Sequence, residues 1–339
     1  MTIKDIAALA GVSKSTVSRV LTNTGYVNED TRKKIQSVIE RYGYQPSASA
    51  QNLPRKETNT IGIVIPEMDN YFFTDIVRGI SQVADPLGLT MIYSNTDNQA
   101  EKESKVLEML KSQRVRGVIM TPATDYSQPD AAKHLKEQLE KLQVPIVMVD
   151  RTVKDTQYDG VFFNNMGGAY AATQTLIQAG NRKIGVITGD LQLKIGRDRF
   201  HGFCQCMKDH GLSIPQDRIY EGNFQTETAY QLAKQIFARQ DPLDAVVTCN
   251  NNTTLGVIKA AHELGKVLGV DLALMGIDRI DVLDLIGYSY SCIARDPVEM
   301  GRKAMDLLLR RIQSPDAAPS VCTVRFEIIC KGSEKKPIR

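Results

Sequence analysis

The chain has 339 residues, 42% of them hydrophobic and 24% charged, and a net charge of +3, the balance of a soluble globular protein with more than one domain. No apolar run approaches the ~20 residues of a membrane span. The N-terminus reads as no export segment, so membrane and secreted classes are set aside and a cytoplasmic setting is expected.

The charge is uneven along the chain. Residues 1–60 hold nine Lys/Arg against five Asp/Glu, a net +4, which leaves the remainder at −1. A small basic head on a near-neutral body points to a polyanionic partner for the head. Thr2 and Asp5 have capping-box spacing, Ile3, Ile6, Ala7, Leu9 and Ala10 form an apolar stripe, and Gly11 stops this first helix. Ser13 caps a second helix whose Val17, Val20 and Leu21 face inward. A third starts at Asn28-Glu29-Asp30, buries Ile35, Val38, Ile39 and Tyr42, and ends at Gly43. Three short helices joined by a tight glycine turn describe a helix-turn-helix unit. Ala7 suits a close helix contact, Gly11 a chain reversal and Val17 the wedge between helices. Lys14, Ser15, Ser18 and Arg19 are left outward, a surface fitted to hydrogen-bond with groove edges and phosphates. A small solvated helix with no partner is the plainer alternative, and the charge asymmetry argues against it.

The stretches "TIKDIAALAGVSKSTVSRVL" and "GYVNEDTRKKIQSVIERYGYQPSASAQNL" resemble the DNA-binding head of the lactose-repressor (LacI/GalR) family of bacterial transcription regulators. The resemblance implies that the second helix enters the major groove and that Lys14 and Ser15 select the operator. It gives Ser13, Thr16, Ser18 and Arg19 phosphate and base contacts, with Tyr26, Ser47, Ala50 and Leu53 completing the DNA-contacting set. Thr22 and Ser47 stand where the family usually has Asn. In "YQPSASAQNLPRKET" (44–58), Pro46 suits a first turn and Pro54 ends a helix too short to persist alone. The resemblance implies that two such hinges pair in the minor groove and that Leu53 wedges between base steps. A plain flexible tether is the other reading.

From Ile61 onward, apolar strands alternate with amphipathic helices. Ten strands are predicted: "IGIVI" (61–65), "TMIYS" (90–94), "GVIM" (117–120), "PIVMV" (145–149), "GVFF" (160–163), "KIGVIT" (183–188), "RIYEG" (218–222), "AVVTC" (245–249), "LALMG" (272–276) and "VCTVRFEII" (321–329). Such strands form parallel sheets covered on both faces, and ligands of open α/β sheets bind at the carboxyl ends of the strands. Asp69 to Phe73, Asn95 to Asp97, Asp150-Arg151, Asn250 to Asn252 and Asp278-Arg279 all follow strands. Carboxylates, amides and aromatics there suit a polyhydroxylated ligand.

This region also resembles, more loosely, the sugar-binding core of the same family. The implied fold is an N-terminal all-α helix-turn-helix head plus an α/β body of two doubly wound lobes, type I periplasmic-binding-protein-like. The expected division is a head over 1–45, a hinge helix and linker over 46–58, and an effector-binding core over 59–339. The N-lobe is placed at about 59–160 and 292–321, the C-lobe at about 161–291 and 322–339. "GRDRFHGF" (196–203) makes Arg199 the expected ligand-gripping arginine, and Tyr71, Phe72, Asp150, Arg197, Phe224, Asn250 and Asp278 match other cleft positions. Asn251 replaces the more usual Asp. Lys194, Arg197 and Arg199 lean toward an anionic effector over a neutral sugar, unless one of them serves an ion pair with Asp190 or Asp198.

Cys204, Cys206, Cys249, Cys292, Cys322 and Cys330 are scattered and fit reduced thiols. His201, Cys204, Cys206 and His210 do not share one helix face, so no metal is expected. Without a P-loop, nucleotide-binding glycine fingerprint or G-x-S-x-G elbow, neither cofactor nor enzyme activity is expected. The expected protein is a homodimeric repressor, nucleoid-associated when bound to double-stranded operator DNA. It is released by a small sugar-like or sugar-acid effector of a carbohydrate catabolic operon. A global or co-repressed regulator of the same family, or a solute-binding protein, is the alternative.

Overall fold

The computed structural model describes residues 1–22, 25–44, 58–126, 129–154 and 157–335, the side chain of Thr22 excepted. The chain separates into a unit of residues 1–58 and a unit of residues 59–339.

In the first unit, α1 (Ile3–Ala10) opens with the predicted capping box: the Thr2 N–H donates to Asp5 at 2.7 Å and the Asp5 N–H donates to the Thr2 hydroxyl at 3.4 Å. Gly11 ends it at φ 66, a left-handed conformation that glycine adopts without steric cost. Ser13 accepts from the Thr16 N–H at 3.2 Å and starts α2 (Lys14–Thr22). Asn28 caps α3 (Glu29–Tyr42), and Gly43 at φ 58 closes it. Ile6, Ala7, Ala10, Val17, Val20, Ile35 and Tyr44 pack into one small core. The expected hinge helix over 46–58, with Ser47, Ala50 and Leu53, lies outside the described residues.

The second unit has two six-stranded sheets. The first holds β1 (Thr60–Ile65), β2 (Thr90–Asn95), β3 (Gly117–Met120), β4 (Ile146–Val149), β5 (Asp159–Phe163) and β11 (Val321–Val324), in the order β11-β5-β4-β3-β1-β2, all parallel. The second holds β6 (Ile184–Thr188), β7 (Ile219–Glu221), β8 (Ala245–Thr248), β9 (Ala273–Ile277), β10 (Ser291–Arg295) and β12 (Phe326–Ile329), in the order β12-β10-β9-β8-β6-β7. Only β12 there runs antiparallel to its neighbour. The two orders repeat one pattern, which makes β4 and β9, and likewise β5 and β10, equivalent positions in the two lobes.

Helices cover the faces: α4 (Tyr71–Ala84), α5 (Ala100–Ser112) and α6 (Pro129–Glu140) in the first lobe, α7 (Asn165–Gln178), α8 (Lys194–Asp209), α9 (Thr226–Phe237), α10 (Asn251–Glu263) and α11 (Asp281–Leu285) in the second. The last helix, α12 (Pro297–Gln313), returns to pack on α4. There the backbones nearly touch: a Cβ on Gly79 would lie 2.0 Å from the Val298 carbonyl oxygen, and one on Gly301 2.0 Å from that of Ile76.

Two departures from the predicted strands matter. β10 was not among the ten, because "SCIAR" is short and half polar. The predicted strand over 321–329 is two strands broken at Arg325, where the chain leaves one sheet for the other. Consequently the first sheet keeps all of β5 to Phe163 and the second keeps β10 to Arg295, so the crossings fall a few residues later than the expected lobe limits.

Candidate functional site

Strand ends from both lobes meet around a small cavity. Asp150 follows β4 and Asp278 follows β9, and each takes a left-handed conformation, φ 64 and φ 74. Each also donates its N–H to the next strand, to the Val161 carbonyl at 3.0 Å and the Ile293 carbonyl at 2.9 Å. Asp tolerates this region better than most side chains, but at some cost, and such residues gather at ligand sites. Phe224 is left-handed as well, at φ 59.

Arg295, the last residue of β10, bridges the two carboxylates. Its Nη1 donates to Asp150 Oδ1 at 2.7 Å, and its Nε donates to Asp278 Oδ1 at 2.6 Å. All three side chains are sealed, at 3%, 2% and 6% exposure. The guanidinium lies 3.7 Å from the Phe72 ring centroid and 5.0 Å from that of Phe163, within cation–π range. Burial by itself would raise the Asp150 pKa, but the Arg295 charge, helped by Arg199 and Arg151, holds it below the usual carboxylate range. Burial works against the Arg295 cation too, and Asp278 and Asp150 more than reverse that, raising its pKa.

Arg199, on α8, is the other buried cation. Its Nε donates to Asn165 Oδ1 at 2.7 Å and its Nη1 donates to the Cys249 carbonyl, while Nη2 finds no acceptor among the described residues. Burial, and then repulsion from Arg295, lowers its pKa. Asn251 Nδ2 donates to Asn70 Oδ1 at 2.8 Å, a second polar link between the lobes. Arg151 Nη1 donates to the Asn98 side chain at 2.8 Å and to the carbonyls of Pro122 and Ala123 at 3.0 and 2.9 Å, while its buried Nε has no acceptor among the described residues. The cavity lined by Phe72, Asp150, Arg199, Phe224, Asp278 and Arg295 measures about 30 Å³. That is room for one or two waters and not for a sugar ring. A wider pocket of about 210 Å³ opens beyond it, bounded by Tyr71, Asp75, Asp281 and Leu285 and again by Phe72, Asp278 and Arg295.

On the first unit, Lys14, Ser15 and Arg19 of α2 are exposed, Thr16 and Ser18 half-buried, and Val17 fully buried beneath them. The Ser13 hydroxyl lies 2.8 Å from those of both Ser15 and Thr16. Tyr26 is 88% exposed. Short side chains on an exposed helix leave its backbone free to approach a groove floor, and the flanking cations suit phosphates.

Residues 2–47 match the family described as bacterial regulatory proteins, lacI family. Residues 58–327 match the periplasmic binding proteins and sugar binding domain of the LacI family. The chain belongs to the LacI family. This LacI-family protein is a DNA-binding transcriptional repressor, as are its curated relatives: it is 31% identical over 336 residues to the HTH-type transcriptional repressor PurR of Vibrio vulnificus (strain CMCP6), covering 99% of both chains. A solved lac repressor dimer bound to operator and the anti-inducer ONPF superposes with a TM-score of 0.83 at 23% identity, over 99% of each chain. A LacI-family regulator from Enterococcus faecium with bound ribose superposes with a TM-score of 0.70 at 25% identity, over 83% of this chain and 100% of that one.

Within the repressor, Phe72, Asp150, Arg199, Phe224, Asn250 and Asp278 come together at the cavity. Tyr71 borders only the outer pocket and is 63% exposed. Arg197 faces away from the cavity: its Nη2 reaches Asp125 at 2.7 Å and its Nη1 the Gln192 carbonyl at 2.6 Å, so it ties the lobes together at their rim. Lys194 pairs with Asp198, so two of the three cations behind the anionic-effector expectation are already matched. Asn250 spends its Oδ1 on the Thr253 N–H at 2.8 Å, capping α10. Sequence reasoning missed Arg295, and it placed Asn70 and Arg151 at strand ends without giving either a role. The signal for Arg295 was present, a charged residue closing a strand, but its strand went unrecognised. No group of metal-ligating side chains occurs among the described residues, and no helix among them is long and apolar enough to cross a membrane.

Proposed function

We propose that this repressor binds a pseudo-palindromic operator as a homodimer and is released when a small sugar-like or sugar-acid effector enters the cleft between its lobes. The head over 1–45 reads DNA, with Lys14 and Ser15 choosing bases and Ser13, Thr16, Ser18, Arg19 and Tyr26 holding phosphates and edges. The segment over 46–58 couples head to core, and the core over 59–339 senses the effector. The observation that carries the effector site is Arg199: a fully buried guanidinium, 1% exposed, with one Nη left without an acceptor among the described residues, in the lining of a cavity where two left-handed aspartates converge. A buried donor without an acceptor costs on the order of 1–3 kcal/mol, which a ligand oxygen restores. The lac repressor's operator-bound dimer and the ribose-bound neighbour are consistent with each half of the reading.

The effector acts only as far as it prefers one state, typically about 1–3 kcal/mol of coupling. Selecting DNA fragments that the protein retains, then eluting them with a panel of sugars and sugar acids, tests both halves. A specific fragment set whose retention falls steeply with added salt, and that one small molecule releases, is the expected result. Retention no better than random competitor DNA refutes the operator half, and a panel without effect refutes the effector half.

A further inference from the structure

The cleft of this chain already contains a ligand-like group, supplied by the chain itself. Asp150 and Asp278 are the two carboxylates placed to grip paired hydroxyls, and Phe72 is the ring placed to stack on a ligand face. All three are taken by Arg295, at 2.7 Å, 2.6 Å and 3.7 Å. The socket is built from both lobes: Asp150 and Phe72 stand on the first, Asp278 and Arg295 on the second. Around it, Glu67, Asp150 and Asp278 match Arg151, Arg199 and Arg295 in number, so the formal charges lining the cavity cancel. Two buried carboxylates facing each other across an interface repel and resist burial; one guanidinium between them removes both objections.

We propose that Arg295 is the resident ligand of this cleft: its guanidinium occupies the place of an effector and holds the two lobes closed on itself. An effector therefore binds by exchange. A neutral polyol that takes Asp150 and Asp278 must first send the guanidinium outward, and the 210 Å³ outer pocket, which Arg295 also lines beside Asp75 and Asp281, is where it goes. Arg295 thus sets both the threshold for effector entry and its selectivity, excluding neutral polyols that cannot replace a cation. The exchange rests on the reading of the cleft as the effector site, whereas the resident role does not.

The test uses the full chain and Arg295→Ala, which leaves a guanidinium-shaped gap between two carboxylates. Each is melted in methylguanidinium chloride and in sodium chloride at matched ionic strength. The variant should melt below wild type, and methylguanidinium should raise its Tm saturably while failing to raise that of wild type. Adding Asp278→Asn to the variant should abolish the rescue. Where Arg295→Ala does not fold, Arg295→Gln carries the same comparison. Equal lowering of both Tm values by methylguanidinium overturns the proposal. In calorimetry, glucose and mannitol should bind the variant at least about tenfold tighter than wild type, a difference of about 1.4 kcal/mol. Equal, measurable affinities overturn the exclusion. Rescue by methylguanidinium with no polyol binding to either protein upholds the resident role and defeats the sugar-like effector instead.

Discussion

Asp150→Asn is the sharpest probe of how the lobes are held together. The substitution keeps volume and one acceptor oxygen but removes the charge opposite Arg295, at 2.7 Å with both side chains at 3% exposure or less. Removing one partner of a buried pair costs about 3–5 kcal/mol. Here Asp278 still pairs with Arg295 and the amide oxygen still accepts, so the low end applies, about 3 kcal/mol. In a unit of this size each kcal/mol moves the midpoint by about 2 °C, so the core should melt about 6 °C lower at neutral pH. Because the lost contact joins the lobes, small-angle scattering should also show a larger radius of gyration. Acid changes the gap in a defined direction. The Asp150 pKa is lower in the fold than the unperturbed 3.8, so its contribution is complete above that value and is lost as pH falls through the lowered folded value. The difference between the two proteins should therefore shrink on acidification below about pH 4. Equal midpoints at neutral pH, or a gap that widens in acid, would refute the reasoning.

Ile35→Ala empties a fully buried position in the small core of the head and should cost about 2–4 kcal/mol, most of what a unit of some forty residues possesses. Operator binding should vanish while the melting of the core is unchanged, as calorimetry on the full chain would show. Gly301→Ala places a methyl 2.0 Å from the Ile76 carbonyl oxygen, against backbone that cannot rotate aside. Forcing α12 from α4 should cost about 1–3 kcal/mol, seen as a midpoint about 2–6 °C lower. Exchanging Lys14 and Ser15 for other polar residues should redirect base preference by about 1–3 kcal/mol at one or two operator positions, measured by fragment selection, with the head still folded. Arg199→Met removes the unaccepted donor and its charge at near-constant length. Effector release should be lost while operator affinity stays within about threefold, in a filter-binding titration.

The head was legible almost residue by residue, except that Tyr42, expected inward on the third helix, is 45% exposed. Its caps are local, set by Thr2, Asp5, Gly11, Asn28 and Gly43 with partners a few positions away, and its core follows helical period. In the body, the continuous apolar strands were equally plain, and their ends held eight of the cavity's lining residues, while Arg199 and Phe224 came from the family resemblance. What failed was a strand without an apolar run: β10 is held by pairing with β9 and β12, a context no window of sequence contains. The cations "KIGRDR" show the same limit from the other side. Lys194, Arg197 and Arg199 lie on one helix within six residues, yet one pairs along the helix, one reaches Asp125 on the other lobe and one is buried in the cavity.

By itself the amino-acid sequence determined the class of the molecule, a cationic helix-turn-helix followed by parallel strands whose ends carry carboxylates and amides, because caps, periodicity and strand ends are near-neighbour properties. Only the tertiary structure decided the state of the cleft. Asp150, Asp278 and Arg295 lie up to 145 positions apart, and whether two carboxylates await a ligand or already share an arginine depends on which strand ends the sheet order brings within 3 Å.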